Sequence, residues 1–300
     1  MITICIPIYN FDVTSLVDEL SRQAGLLNQP YEIILIDDCS NEKFKEINRK
    51  VCKNEFYIEL AKNTGRSKVR NLFLEYSKYE YLLFLDCDSL IETSDFLSKY
   101  FEVIKQKPGL VCGGRIYSKN RPSREKMLRW KYGVLRESRP YTIRNKFPNQ
   151  SFMTNNFLIN KEIFAKVKFD ERITQYGHED TLFGYSLKKE NISITHIDNP
   201  VVNGYIEDNE EYLSKTKEGI INLIHIIEFM NYDNDLIAEI SLLRFYSKIK
   251  KCEKCIKLSF VGCKSLIHFL LSRGYVNLYL FDFYKLGIFI ENHKNKRDPI

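Results

Sequence analysis

YLLFLDCDS, residues 81–89, sets the reading of the whole chain. Five apolar residues, Tyr81–Leu85, run straight into two aspartates, Asp86 and Asp88, with Cys87 between them. A short continuous apolar run predicts a strand covered on both faces, as in a parallel sheet. Alternate residues of an extended segment point the same way, so both carboxylates face one spot. Two carboxylates held together repel, and one has its pKa raised unless a positive group sits between them. The alternative is a solvated loop pair.

The pattern repeats on either side. ITICIPI (2–8), YEIILI (31–36), FYIEL (56–60) and GLVCGGRIY (109–117) read as further strands. Helical patterns at 14–24, 41–53, 66–77 and 94–106 separate them. The expected fold is α/β: a Rossmann-like, mostly parallel sheet flanked by helices, with ligands bound at the carboxyl ends of its strands. Polar residues collect at those ends: Tyr9 and Asn10, Asp37 and Asp38, Asn63, then Asp86 and Asp88.

The totals allow one or two domains with a sizeable core: 300 residues, 44% hydrophobic, net charge +6. The mild basic excess suits an anionic ligand without demanding one, and no nucleic-acid partner is expected. The opening MITICIPIYN has neither a basic n-region nor a small-residue cleavage site, so no signal peptide is expected. Nor does any run approach the roughly 20 apolar residues of a membrane span. Eight cysteines without a secretion signal read as free thiols in a reducing cytoplasm. Cys252 and Cys255 form a lone C-x-x-C, which supplies two of zinc's four ligands and is read as not binding it.

Residues 119–146 hold ten Lys or Arg against two Glu. A strand in SFMTNNFLI, a helix from NKEIF, the stretch YGHEDTLFGY, a strand ISITHI and a helix at about 210–230 follow. The expected division is a catalytic domain over 1–230, with a donor-binding half (1–117) and an acceptor half (118–230), and a helical extension over 231–300. In that extension Leu242, Leu243, Phe245, Tyr246 and Ile249 recur at helical spacing among Lys248, Lys250, Lys251 and Lys254. Such a helix either packs on the domain or lies in the headgroup plane of an anionic membrane.

G-x-G-x-x-G and G-x-x-x-x-G-K-[ST] are both absent, which removes the dinucleotide and P-loop readings. A haloacid-dehalogenase-type Mg²⁺ phosphatase would place its D-x-D on the opening strand; it is the alternative enzyme, and a non-catalytic sugar- or nucleotide-binding module the alternative to any enzyme. IPIYN, LIDDCS, NTGRSKVRN, FLDCDS and GHEDTLFGYSL, in that order over about residues 1–215, resemble the motifs of a family 2 glycosyltransferase of GT-A fold, the surface-polysaccharide type among them. Val69 stands where that family usually has Ala.

The resemblance implies an inverting transferase for a hexosyl or N-acetylhexosaminyl group. A divalent cation, Mn²⁺ or Mg²⁺, neutralises the donor's leaving diphosphate, and hard oxygen ligands suit it. Asp88 is the implied direct ligand, with Asp86 facing the ribose or sharing the metal. Asp37 or Asp38 is the implied acceptor for uracil N3–H, favouring a UDP-sugar; a helix N-cap by Asp38 or Ser40 is the other use of that pair. Pro7, Tyr9, Asn63, Gly65 and Cys87 complete the donor-binding set. Arg70 reaches phosphate or base there, with Arg66 and Lys68 as solvated neighbours.

Asp180 is the implied general base and Glu179 orients hydroxyls, at a helix start whose dipole favours their ionised forms. An acidic helix cap is the alternative. Related enzymes often carry a His as a third metal ligand where Asn203 stands; His196 lies on the preceding strand, and His178 reads as a pocket-wall or core residue. The implied acceptor is a glycan or a lipid-pyrophosphate-linked glycan, met in the cytoplasm or peripherally at the inner face of the cell membrane.

Overall fold

The computed structural model describes residues 1–51 and 55–293. The expected helix end at 52–53 and the last tail residues, 294–300, lie outside that range. β1 (Ile2–Ile8), β2 (Tyr31–Asp37), β3 (Phe56–Glu59) and β4 (Tyr81–Leu85) stand where the apolar runs predict, separated by α1 (Thr14–Leu27), α2 (Glu42–Val51) and α3 (Arg66–Tyr76). α4 (Phe96–Ile104) precedes β6 (Leu110–Cys112), with a short β5 (Ser89–Leu90) between it and β4. After two short helices, α5 (Met127–Tyr132) and α6 (Tyr141–Arg144), β8 (Asn156–Asn160), α7 (Lys161–Val167), α8 (Glu179–Lys189) and β9 (Ile194–His196) complete the main layer.

The seven-stranded sheet has the order β3-β2-β1-β4-β8-β6-β9. β1 pairs in parallel with β2 and β4, while β8 runs antiparallel to both β4 and β6. Alternation explains why these strands are apolar throughout. Ile2, Ile4, Ile6, Tyr81, Leu83 and Leu85 pack with α1 and α4 on one face. Cys5, Leu82 and Phe84 pack on the other with α3, α7 and α8, through residues such as Phe73, Phe164 and Phe183. The mostly parallel sheet flanked by helices is the expected architecture, with β8 as its antiparallel member.

Three expectations need correction. The run 109–117 is not one strand: it breaks after Cys112 and resumes as β7 (Arg115–Ile116). Gly114 takes φ +94°, and a Cβ at Gly113 would overlap the Asn199 carbonyl and the Asn156 side chain, so the glycine pair turns the chain out of the sheet. A strand that the polar stretch after His196 concealed, β10 (Val201–Asn203), joins β5 and β7 in a second, three-stranded sheet. This small sheet lies directly beyond the two aspartates.

The third concerns the C-terminal helices: α9 (Asn209–Phe229), α10 (Asn234–Glu239), α11 (Ser241–Ile249), α12 (Glu253–Ser272) and α13 (Leu278–Asn292). On α11 Leu243 and Tyr246 face inward, in one apolar cluster with Leu182, Leu223, Ile227, Phe260 and Phe289. Within that stripe Leu243 and Tyr246 are core, against apolar surface supplied by α9 and α13, while Phe245 is 54% exposed. Apolar surface is also left exposed on α12, where Leu258 is 77% exposed and Val261, Leu266 and Phe269 face solvent. Contrary to the expectation of no span-length run, the helical stretch Ser241–Ser272 contains an 18-residue window of mean hydropathy 1.4, 17% buried, long and apolar enough to cross a membrane by length and composition alone.

Candidate active site

The donor-side rim is built from three strand ends. After β1, Asn10 adopts φ 50°, donates its backbone N–H to Ser40 Oγ at 2.7 Å and accepts the Asn41 N–H at 2.8 Å. Asp37 ends β2; its Oδ1 accepts the Ser40 N–H at 2.6 Å and its Oδ2 the Tyr57 hydroxyl at 2.9 Å. Asp38 Oδ1 accepts the Thr64 N–H at 2.6 Å and hydroxyl at 2.8 Å, and its Oδ2 accepts the Gly65 N–H at 3.0 Å. Asn63 Nδ2 closes the loop onto the Asp38 carbonyl at 3.1 Å. Asp38 therefore braces the loop before α3 rather than capping α2, and Gly65, at φ +86°, gives that loop its left-handed turn. Pro7 is half-buried in β1, and Tyr9 stands 55% exposed at the rim.

Asp86 and Asp88 sit on the turn that leaves β4, closed by the Ser89 N–H donating to the Asp86 carbonyl at 3.0 Å. Asp86 Oδ1 accepts from Arg70 Nη2 at 2.9 Å. Arg70 is only 3% exposed, tied to the Arg66 carbonyl at 3.2 Å and stacked over Phe169. Cys87, between the aspartates, turns toward the β1–α1 core, where burial pushes its thiol up to about 12. It anchors the turn while both neighbours stay half-buried at the surface. Burial, then the neighbouring Asp86 charge, raises the Asp88 carboxyl to about 6. The positive charge that the paired carboxylates require is thus present: Arg70 answers Asp86, and Arg115 offsets part of the rise at Asp88.

Across from this pair, α8 begins at Glu179 after His178, which takes the left-handed region at φ 66°. Glu179 is buried, with Arg66 Nη1 at 3.6 Å and Arg70 Nη1 at 3.7 Å from its Oε1. Arg70 thereby joins the D-x-D turn to the E-D pair. Arg66, expected to be merely solvated, also lies over the Tyr176 ring at 4.7 Å; its ion-pair partner Glu179 is 113 positions away in the chain, beyond any local pattern. Asp180, the second residue of α8, accepts the Thr181 N–H through Oδ1 at 2.7 Å. Its pKa is raised to about 6 by burial and by the Glu179 charge. The helix dipole was expected to favour ionisation; desolvation and a like charge outweigh it here.

Asn203 does lie at the D-x-D turn, paired with Ser89 across β10 and β5, and the Gly204 N–H donates to the Asp88 carbonyl at 2.8 Å. Its Oδ1 is engaged, accepting from Arg115 Nη1 at 3.2 Å, and its Nδ2 donates to the Tyr205 carbonyl. His196 is core: Arg144 donates to its Nδ1 at 2.7 Å, its Nε2–H donates to the Pro148 carbonyl at 2.9 Å, and burial lowers it to about 4. Burial lowers His178 to about 4 as well. Sequence reasoning missed Arg115, whose only signal was a basic residue after a glycine pair.

Among the described residues, no three His, Cys, Asp or Glu side chains converge as a cation cage. The donor set still fits a hard divalent ion of the kind held by one or two carboxylates, with phosphate oxygens and water completing its shell. Asp88, half-buried on the turn, would hold such an ion, and Asp86 would share or flank it.

Residues 3–168 match glycosyl transferase family 2. Over 197 residues, 53% of this chain, the sequence is 28% identical to chondroitin synthase of Escherichia coli, covering 28% of that protein. It is 30% identical over 112 residues to an uncharacterized glycosyltransferase of Haemophilus influenzae, covering 36% of it. The chain thus spans well under half of these curated relatives. By structure it is similar to the mannosyltransferase PcManGT of Pyrobaculum calidifontis, solved with GDP-Man and Mn²⁺ (TM-score 0.62, 13% identity, 99% of this chain and 88% of that one). It is also similar to S. aureus TarS 1-349 in complex with UDP-GlcNAc (TM-score 0.53, 16% identity, 97% and 89%). These likenesses fix the fold as GT-A. With more than half of its length matched to the family and the expected motifs gathered on one sheet edge, this chain belongs to glycosyl transferase family 2.

Proposed function

We propose that the protein is an inverting, divalent-cation-dependent glycosyltransferase that moves a hexosyl or N-acetylhexosaminyl group from a UDP-sugar to a glycan or lipid-pyrophosphate-linked acceptor in surface-polysaccharide assembly. The observation that carries this reading is Arg70, whose one guanidinium links Asp86 of the D-x-D turn to Glu179 beside Asp180. It ties a diphosphate-facing turn to a base-bearing helix.

A bound Mn²⁺ or Mg²⁺ would supply charge to the leaving diphosphate. Asp180 Oδ2, which takes no hydrogen bond among the described residues, accepts the acceptor hydroxyl's proton as that oxygen attacks the anomeric carbon opposite the leaving group. Glu179, ion-paired with Arg66 and Arg70 at 3.6 and 3.7 Å, orients hydroxyls instead of moving protons. Asp37 Oδ2 and Asp38 Oδ2 each accept one bond, but the residues are 0% and 4% exposed, so either would have to open toward the rim to accept uracil N3–H. Pro7, Tyr9, Asn63, Gly65 and Cys87 shape the surrounding rim.

For a lipid-linked acceptor, the surface that fits is the exposed face of α12, Leu258, Val261, Leu266 and Phe269, with Lys250, Lys251, Lys254 and Lys257 at its start. Apolar residues entering the headgroup layer beside lysines on anionic lipid would hold the enzyme peripherally at the cytoplasmic face. Screening UDP-sugars for Mn²⁺-dependent UDP release, with and without glycan acceptors, tests the function. Release from none of them would refute it.

A further inference from the structure

A cavity of about 290 Å³ opens beside the helix that carries Asp180, between α8, the turn at 147–152 and the junction of α10 with α11. Asn149, Gln150, Thr181, Tyr185 and Glu239 line it, together with Tyr132. Its wall is held in place. Asn149 Nδ2 donates to the Gly184 carbonyl at 3.0 Å, and a Cβ at Gly184 would meet the Asn149 carbonyl at 2.8 Å, so the glycine lets the turn seat on α8. Tyr132 stands edge-on to Phe281, with ring centroids 5.6 Å apart. Successive residues of a helix are about 100° apart. Glu179 faces the D-x-D turn through Arg70, while Thr181 and Tyr185, one turn apart, open onto the cavity. Asp180 stands between them, so donor turn, base and cavity follow one another around one end of α8.

The lining selects by charge. Among the described residues it includes no Lys or Arg, so nothing there answers a phosphate or a carboxylate. It offers amides and acceptors instead. The exposed Gln150 amide bonds to no other described residue, and Asn149 keeps its Oδ1. Glu239 gives Oε1 to Lys188 and keeps Oε2. Tyr132 and Tyr185 add apolar ring surface with polar edges. Hydroxyl-bonding groups beside aromatic rings suit a pyranose, which has hydroxyls around its edge and C–H bonds on its faces. The volume lies at the lower end of small-molecule sites, roughly 300–1,000 Å³, which fits one sugar unit.

We propose that this cavity is the acceptor subsite, holding one uncharged pyranose ring of the glycan so that a hydroxyl of that ring meets Asp180 Oδ2. This rests on the transferase reading above and adds the class of sugar that is glycosylated. The hydroxyl's proton passes to Asp180, its oxygen bonds to the anomeric carbon, and the bond to UDP breaks with its electron pair left on the diphosphate.

The test uses the full chain with UDP and Mn²⁺ and reads sugar binding by saturation-transfer NMR. The probes are the methyl β-glycosides of glucose, galactose, N-acetylglucosamine and N-acetylgalactosamine, with methyl β-glucuronide as the charged comparison. At least one neutral glycoside should be saturated and the glucuronide should not. Gln150→Trp, which fills the cavity from an exposed position, should remove that signal. With the UDP-sugar that the release assay identifies and the bound glycoside as acceptor, Gln150→Ala should raise acceptor KM about three- to tenfold, the range for a neutral hydrogen bond, and Gln150→Trp should raise it further. The KM for the UDP-sugar should stay the same in both. An acceptor KM unmoved by Gln150→Trp, donor and acceptor KM rising together, or a glucuronide bound as well as the neutral glycosides overturns the proposal. A wild type that releases UDP yet saturates none of the glycosides overturns this inference alone; one that releases UDP from no UDP-sugar overturns the transferase reading, and this inference with it.

Discussion

Replacing Asp180 with asparagine separates what this residue does for turnover from what it costs the fold. The side chain keeps its size and the oxygen that accepts the Thr181 N–H, but it can no longer take a proton. A general base contributes about 10²–10⁴-fold, so kcat should fall at least about a hundredfold while UDP affinity stays near normal. Its raised pKa adds a second, opposite signature. A carboxyl raised from 3.8 to about 6 in the folded state disfavours folding in its charged form, and that cost is fully present above about pH 6. At about 1.4 kcal/mol per unit the cost approaches about 3 kcal/mol, part of it shared with Glu179 through their mutual repulsion. Asp180→Asn removes the charge, so the variant should melt higher at pH 7.5, by about 2–4 °C for each kcal/mol recovered, and the gain should vanish toward pH 4. In the wild type, the base is needed deprotonated, so kcat/KM should fall about tenfold per pH unit below about 6. Differential scanning calorimetry beside a UDP-release assay reads both effects. Near wild-type turnover, or a lower melting temperature at pH 7.5, would refute the assignment.

Competition by UDP, GDP and TDP for one site should rank UDP first, and equal inhibition by UDP and GDP would remove the role given to the Asp37–Asp38 pair. Full-length protein should co-sediment with anionic vesicles at low salt and be released by about 0.5 M salt, where the Debye length shrinks to about 4 Å. Leu258→Glu with Leu266→Glu should abolish that binding without unfolding the protein, since both side chains face solvent; binding that survives both changes would show that α12 is not the contact. Gly113→Ala should destabilise by about 1–3 kcal/mol, because its Cβ would press on the Asn199 carbonyl and Asn156 amide. An unchanged denaturant midpoint would mean the chain yields there.

The donor half was legible because its strands are buried on both faces. Continuous apolar runs such as ITICIPI and YLLFL admit one reading, and observed β1 and β4 have the boundaries those runs predict. Direction was not legible: the pattern in NFLIN says that β8 is buried, not that it runs antiparallel to β4. β7 and β10 are two and three residues long, too short for any periodicity to register. The tail stayed open between two readings because one apolar stripe looks alike against a membrane and against a neighbouring helix; only the positions of α9 and α13 decide that Leu243 and Tyr246 of α11 turn inward. In the site, the carboxylates announced themselves as motifs. Arg70 did too, within NTGRSKVRN, but the partners of the arginines did not, since Arg70 meets Asp86 and Glu179, and Arg115 meets Asn203, across 16, 109 and 88 positions of chain.

The most direct test of the central claim is UDP release from a panel of UDP-sugars, with Mn²⁺ or EDTA, by the wild type and Asp88→Ala. Release from at least one sugar, strongly reduced by EDTA and abolished in Asp88→Ala, is the predicted result. A binding module would release nothing from any of them, and release that continues undiminished in EDTA and in Asp88→Ala would contradict the assignment of Asp88 as the cation's ligand.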